Sequence, residues 1–553
     1  MPSVFPMTAC IETHISRVLL HGERAYKLKK PLRLPFLDFS SPERRRWFGE
    51  EELRLNRRTA PELYLGLRPL SVDWAAFCAD PEAALDASRA DTALDWVLCM
   101  RRFGAEALLA EQARCGRLRP DLIDAMAAHV AAFHQALPPL PPEALPQRDT
   151  AHWAQECVQA LQQQPELAPP QQARGRALGA ALRAQLQALQ PWMQARAAAG
   201  FVRECHGDLH LGNLIEWEGG VRAFDAIEFE PDLRAIDVLS DATFAFMDLL
   251  QYRLPVLAWR FLNGYLDATG DFEGLRGVRA WAAYRALVRA RVAWLAEGSG
   301  VASDSGADAD ADAGAVVDID ASAGAGLSPV KAASAAGAKA LTQHESYCAC
   351  AQALLLPEPA PPGLWLLMGL SGSGKSTVAQ LLRDALVQQG RPALCLRSDL
   401  ERKRLLGVAA TARPSAAQQA HWYSQELTQQ TYARLQHAAQ HVLQAGCSVL
   451  IDAASLRRHE RQALRALAAQ QQVPFHLWEC RAGSEQAQRR LAARQADNRD
   501  PSDADAAVRT LQQGFFEPLD ASEQAGHRLL HNDGDLKILQ ARVRAALHED
   551  EEK

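Results

Sequence analysis

The stretch MGLSGSGKST, Met368 to Thr377, constrains this chain more than any other. Gly369, Gly374, Lys375 and Ser376 complete the pattern Gly-x-x-x-x-Gly-Lys-Ser. The apolar run LWLL precedes it, and TVAQLLRDAL follows with apolar residues at helical spacing. Strand, glycine-rich turn and helix in that order gather backbone N–H groups and a helix N-terminus around one point, a geometry that takes phosphate. The expected nucleotide-binding residues are Gly369, Ser371, Gly372, Ser373, Gly374, Lys375, Ser376 and Thr377. Lys375 is assigned to the β- and γ-phosphates and Ser376 to magnesium.

Four more apolar runs follow at the spacing of alternating strands and helices: ALCLRSD, CSVLIDA, PFHLWECR and HRLLHND. This predicts an α/β fold with a doubly wound parallel sheet. Strand ends in such sheets face the ligand crevice, so Asp399 at the end of the second strand and Asp452 at the end of the third are expected beside the phosphates. Asp452 after SVLI resembles a Walker B carboxylate and is a candidate magnesium ligand. The segments RSDLERKRLLG and RRLAARQADNRDPSDADAAV resemble the branch of P-loop kinases that includes gluconate kinase, adenylylsulfate kinase, zeta-type toxins and polynucleotide kinase. That resemblance implies Asp399 as the base or orienter of an acceptor hydroxyl. It implies lid arginines, Arg494 with Arg490 or Arg499, on the transferring phosphoryl group. Arg457, Arg458 and Arg461 read either as substrate contacts or as a basic helix start.

A chain of 553 residues exceeds one ordinary core, so at least two domains are expected. The second chemical signal is CHGDLHLGNLIEWEGGVRAFDAIEFE, from Cys205. NLI and VRAFDAIEF around EWEGG predict strand, turn and strand. Asp208 and Asn213 then project near one another in the preceding loop, with Asp225 on the returning strand. Magnesium requires hard oxygen ligands, and an attacking hydroxyl requires a carboxylate within hydrogen-bond reach. The spacing His-x-Asp-x-x-x-x-Asn followed by an Asp supplies both.

This segment resembles the aminoglycoside phosphotransferase family, from about Ile11 to Leu355, and implies an α+β bilobal protein-kinase-like domain. By that likeness Asp208 is the catalytic base, His206 braces its loop, and Asn213 and Asp225 are magnesium ligands. Asp237 and Asp241 become supporting or helix-capping groups. The nucleotide-gripping lysine is Lys27 or Lys29 of YKLKK, with Lys27 favoured. Its partner is Glu50, Glu51 or Glu52. Two departures stand out: the hairpin LLHGERAY has one glycine where protein kinases have a glycine-rich loop, and Leu211 replaces a proline frequent in the family.

The expected organisation is a phosphotransferase-like domain over 1–356, a Pro-rich linker at 357–363 and a P-loop domain over 364–546. Residues 298–337, rich in Ala, Gly, Asp and Ser, form an expected disordered insertion. Its DADADAG is not a calcium loop, because Ala313 and Ile319 stand where glycine and a bidentate glutamate are needed. Cys348 and Cys350 lie on different sides of an expected helix and fit neither zinc nor a disulfide framework. A net charge of −6 gives no support for a nucleic-acid or anionic-membrane partner. With no leader pattern and no apolar span, a cytoplasmic location is expected. ATP and magnesium are the implied cofactors and a small hydroxylated metabolite the implied acceptor in each half. The alternatives are an ATP-binding switch with one non-catalytic half, or a polynucleotide 5′-kinase in the second half.

Overall fold

The computed structural model describes residues 8–13, 15–34, 37–162, 169–298, 342–356, 361–497, 500–524 and 526–551. Most of the expected insertion at 298–337 and part of the 357–363 linker lie outside these residues, as does Arg499. The chain divides into two units, Met1–Leu254 with Gly277–Pro357, and Pro255–Arg276 with Glu358–Lys553.

In the first unit, β1 (Thr8–Glu12), β2 (Ser16–His21), β3 (Arg24–Lys29), β4 (Tyr64–Leu70) and β5 (Asp95–Arg101) form an antiparallel sheet of order β1-β2-β3-β5-β4. The β2–β3 hairpin is the one expected around HGE, closed at Gly22 with φ 55°. Helix α1 (Pro42–Asn56) is capped by Ser41, whose hydroxyl accepts from the Arg44 N–H. It buries Gly49, Glu52 and Leu55. The EWEGG turn joins β6 (Leu214–Trp217) to β7 (Gly220–Ala223), with Glu218 and Gly219 at positive φ. Helix α2 (Val238–Gln251) follows and is buried over almost its whole length. One sheet face packs Val18, Leu20, Tyr64, Leu98 and Met100 against Ile215 and Phe224, which seats the β6–β7 hairpin under the sheet.

The second unit begins with α3 (Pro255–Thr269). The sequence reading placed that stretch inside the 1–356 span. Its sheet contains β8 (Leu364–Met368), β9 (Ala393–Arg397), β10 (Ser448–Asp452), β11 (Phe475–Arg481) and β12 (His527–His531). All pairings are parallel, in the order β9-β10-β8-β11-β12. The strand before the glycine-rich turn is therefore central, as both-face burial of LWLLM requires. Edge strand β9 does not end on unpaired groups at Cys395. The Asn263 amide on α3 donates to Cys395 O at 3.0 Å and accepts from Cys395 N–H at 2.8 Å. Helices α4 (Lys375–Gln388), α5 (Ser398–Leu406), α6 (Arg458–Gln470) and α7 (Ala506–Gly514) complete the parts used below. No described helix is long and apolar enough to cross a membrane.

Candidate active sites

In the first unit the expected lysine alternatives and glutamate alternatives resolve into one buried cluster. Lys27 Nζ donates to Glu52 Oε1 at 2.9 Å and to Asp225 Oδ1 at 2.6 Å. Lys29 Nζ donates to Glu52 Oε2 at 2.6 Å and to Glu228. Glu50 is spent on Arg46 and Glu51 on Arg54 and Arg234. Only Glu52 lies on the buried face of α1 between Gly49 and Leu55, three residues from each.

Asp225 is not on the returning strand, which ends at Ala223. It adopts φ 60°, a left-handed backbone that breaks the ladder and turns the carboxylate toward Lys27. Its neighbours hold that conformation: the Asp225 N–H donates to Tyr64 Oη, and the Ala226 N–H to Asn56 Oδ1. Burial and the Glu52 and Glu228 charges raise the Asp225 carboxyl to about 6 against the pull of Lys27.

The loop that carries Asp208 is tied down from three sides. His206 and Gly207 N–H groups donate to the two Asp241 oxygens at 3.0 and 2.9 Å. His134 holds Asp241 at 3.0 Å, and Leu211 N–H donates to Asp248. Arg285 donates to Gly207 O. His206 bonds Phe224 O through Nε2 and accepts from the Asp208 N–H through Nδ1. Burial lowers the imidazole to about 4, which keeps it in that neutral bracing form. Asp237 caps α2 and pairs with Arg196. Asp208 itself accepts from Asn213 Nδ2 at 3.0 Å and lies 3.4 Å from His210 Nε2. Burial raises the Asp208 carboxyl, but His210 and Arg289 outweigh it and hold the group below the usual carboxylate range.

In the second unit Gly369, Gly372 and Gly374 all have positive φ. A Cβ on Gly369 would lie 2.4 Å from Cys480 O, and one on Gly374 2.0 Å from Asn532 Nδ2. The turn is therefore closed to larger residues. Ser371 and Ser373 are buried in this turn, and Thr377 sits in the first turn of α4. Lys375 Nζ folds back onto Gly369 O at 2.8 Å and Leu370 O at 3.2 Å, and burial lowers its pKa. Ser376 Oγ donates to Asp452 Oδ2 at 2.6 Å. Asp399 does not end its strand, which stops at Arg397; it lies in the first turn of α5, with Arg402 at 3.3 Å. A cavity of about 430 Å³ brings Lys375, Ser376, Asp399, Asp452 and Arg494 to one surface. Arg494 pairs with Asp500 at 3.4 Å, and Arg490 reaches Asn532 at 3.0 Å beside the turn. Arg461 is structural: it is buried and forks onto Glu523 at 2.7 and 3.0 Å. Sequence reasoning missed α7, whose Gln512 accepts from the Ser371 N–H at 2.7 Å and whose Arg509 donates to Ser371 O.

Residues 33–224 match the model of the phosphotransferase enzyme family, and residues 364–519 match that of the AAA domain. The chain joins a phosphotransferase enzyme family domain to an AAA domain. Uncharacterized proteins of Mycobacterium bovis and Mycobacterium tuberculosis are 31% identical over 291 residues, 51% of this chain and 53% of theirs. The chain thus spans about half the length of the curated relatives it matches. The Mycobacterium tuberculosis APS kinase CysC in complex with AMPPNP and APS aligns with 34% of this chain and 99% of its own, at 23% identity and TM-score 0.26. A choline/ethanolamine kinase family protein from Mesorhizobium loti aligns with 55% of this chain and 84% of its own, at 13% identity and TM-score 0.33.

The phosphotransferase domain fits a divalent metal on two observations. Asn213 Oδ1 is buried without a hydrogen-bond partner, while Nδ2 is spent on Asp208. Around Asp225, three carboxylates face two ammonium groups, an excess of negative charge that a divalent cation offsets. The AAA domain offers a hydroxyl and a carboxylate together, Ser376 and Asp452, at the cavity wall.

The crowding of Glu52, Asp225 and Glu228 has a measurable consequence. With its folded pKa near 6 and an ordinary value of about 3.9, Asp225 holds a proton that the unfolded chain releases between those values. Its contribution to stability therefore falls as pH rises from about 4 to about 6 and stays low above that. Asp225→Asn is expected to stabilise the phosphotransferase domain at pH 8 by about 1–3 kcal/mol. Urea unfolding at pH 8 and pH 4.5 checks this: the gain should shrink to about a third at the lower pH.

Proposed function

We propose that each half transfers the γ-phosphoryl group of ATP to a hydroxyl of a small molecule, with separate sites in the two domains. The observation that carries this reading is the pairing of Asp208 with Asn213 and of Asp225 with Lys27 and Glu52, the two sets tied by the Phe224 N–H, which donates to Asn213 O at 3.0 Å. It gives the phosphotransferase domain a base, metal ligands and a phosphate-binding cation in one cluster. The AAA domain supplies the matching set as Lys375, Ser376, Asp452 and Asp399 around one cavity.

In the phosphotransferase domain Asp208 orients the acceptor hydroxyl and takes its proton. Its low pKa keeps it ionised at neutral pH, so it is ready to accept. Asn213 and Asp225 would hold magnesium, which neutralises charge on the phosphates when bound. Lys27, oriented by Glu52, grips the nucleotide, and His206, Asp241 and Arg285 keep the loop from moving as charge develops. In the AAA domain Asp399 orients the second acceptor, and Lys375 and Arg494 face the transferring group. Ser376 and Asp452 would hold the metal.

The test is incubation with γ-labelled ATP, magnesium and a small-molecule cell extract, alongside Asp208→Ala and Lys375→Ala. Removing Lys375 is expected to cut label transfer by the AAA domain by about 10²–10³-fold, the scale for losing a preorganised charge donor. A variant that abolishes a labelled product names the half that makes it. If wild type labels no small molecule and forms ADP only slowly, phosphoryl transfer is lost as the reading and an ATP-binding switch replaces it.

A further inference from the structure

We propose that the AAA domain carries a surface site for a transition-metal dication of the zinc class, with His437 and His441 as imidazole ligands and Glu273 as the carboxylate that completes it. The site is separate from both sets of residues assigned to magnesium and is independent of the phosphotransfer reading.

His437 and His441 stand one turn apart on the helix Gln425–Gln444, so both side chains leave the same face. Their Nε2 atoms are 3.2 Å apart, while the ring centroids are 4.6 Å apart at an interplanar angle of 85°. The nitrogens are thus the facing edges of the two rings. Two imidazole nitrogens bound to one metal at about 2.0–2.1 Å lie ~2.9 Å apart at a right angle and ~3.4 Å apart at a tetrahedral one. The spacing in the helix falls between these values, so the pair already has the bite of a chelate. His441 is half-buried, and burial together with the neighbouring His437 lowers its pKa. That keeps the imidazole in the neutral form that ligates a metal. His437 is exposed, so an ion reaches the pair from solvent.

The carboxylate comes from a second segment. Glu273 lies in the turn Phe272–Gly274, which packs on the same helix; it is exposed, and its charge favours a cation at His441. Its oxygens stand outside direct contact with the pair, since the one trio of candidate ligands within 4.8 Å of one another among the described residues is His134, Cys205 and Asp241. A new rotamer or a bridging water brings Glu273 to an ion held by the histidines. The buried trio is committed elsewhere: both Asp241 oxygens accept loop amides, and Cys205 Sγ donates to Ile236 O. Two imidazoles and a carboxylate, with water at the open positions, form a donor set that zinc, nickel and copper take in preference to magnesium.

The turn Phe272–Gly274 belongs to the 255–276 stretch, which interrupts the first unit in sequence yet packs in the second. A metal shared by Glu273 and the histidines staples this stretch to the helix Gln425–Gln444. The site is also distinct from the cavity at the glycine-rich turn. Tyr432, the last residue of that helix on the cavity wall, precedes His437 by about 7.5 Å along the axis and about 140° around it. Occupancy therefore acts on how firmly the stretch is held rather than on the nucleotide.

The experiment uses the full chain, stripped with chelator and returned to excess magnesium so that the oxygen sites are filled. Calorimetry with zinc and with nickel reads binding, and the absorption of cobalt(II) reads nitrogen ligation. One equivalent should bind, with magnesium failing to compete. His437→Ala and His441→Ala should each weaken binding by about 100-fold and Glu273→Gln by about tenfold, the span for losing groups around a bound metal. Zinc at about 100 times its Kd should raise the melting temperature of the AAA domain by about 5 °C, and that of His441→Ala by about 1 °C. The metal-free melting temperatures of the variants should match wild type, which separates lost ligation from lost fold.

Zinc binding that survives both histidine variants, or no binding by wild type, overturns the inference and leaves the pair as an N–H···N hydrogen bond. Equal affinity of wild type and Glu273→Gln overturns the staple. Phosphotransfer is read in magnesium alone and stands or falls apart from these outcomes.

Discussion

Asp208→Ala should lower the turnover of the phosphotransferase domain by about 10³-fold, within the range that a positioned general base contributes. The loss should fall on kcat, with KM for ATP changed by less than about threefold. Asp208 touches none of the groups assigned to the nucleotide, since Lys27 is held by Glu52 and Asp225. The loop should survive the change. Asn213 Nδ2 bonds both the Asp208 side chain and the Asp208 backbone carbonyl, at 3.0 and 2.9 Å, and the second bond remains. Asp241 still holds the His206 and Gly207 amides. The measurement is product formation against substrate concentration in the Lys375→Ala background. A loss of less than tenfold would remove Asp208 from the reacting position. The wild-type pH profile gives a second readout. With the Asp208 carboxyl held below the usual range, the base stays ionised, and the acid limb assigned to it should lie below pH 4.

The parts of this arrangement that were legible in the sequence are those encoded by short spacing. The Gly-x-x-x-x-Gly-Lys-Ser turn and the Asp208–Asn213 loop each bring their residues together within a few positions, so local geometry decides them. Apolar runs bounded by Asp and Gly gave β8 to β11 because strands buried on both faces admit little else, whereas edge strand β12, where only Leu530 is buried, followed from its spacing. Three consecutive glutamates on α1 were not resolved. Each points about 100° from the next, and the Gly49–Glu52–Leu55 stripe that selects Glu52 emerges only when the buried face is known. The Lys27 and Lys29 ambiguity has a different origin. A two-residue strand period puts both on one face, and both prove to be paired. Asp225 was misplaced because a left-handed turn at a non-glycine residue leaves no mark in apolar periodicity. Gln512 on the Ser371 amide, Asn263 on β9 and the packing of 255–276 with the second unit are contacts between segments far apart in sequence. No local pattern carries them.

Glu52→Ala should cost the phosphotransferase domain about 3–5 kcal/mol, the largest stability effect expected of any single substitution in the cluster. Its side chain is 1% exposed and serves both lysines, which are themselves buried. Removing it leaves Lys27 with Asp225 alone and Lys29 with Glu228 alone. Desolvation of two ammonium groups is then offset by one carboxylate each, and the space left by the side chain adds a packing loss. Part of the cost returns through Asp225, whose raised pKa owes something to the Glu52 charge and should fall when that charge is gone. Glu52→Gln keeps the shape and one acceptor oxygen, and should cost about half as much. The pH dependence carries its own sign. Burial raises the Glu52 carboxyl, but the two lysines overcome this and hold it near 2, below its ordinary value. Its contribution to stability is therefore full above about pH 4.5 and is lost as pH falls toward 2. Denaturant unfolding at pH 7 and pH 3 should show the gap between wild type and Glu52→Ala narrowing at the lower pH. A gap that stayed constant would mean that packing, rather than the shared charge, holds the cluster together.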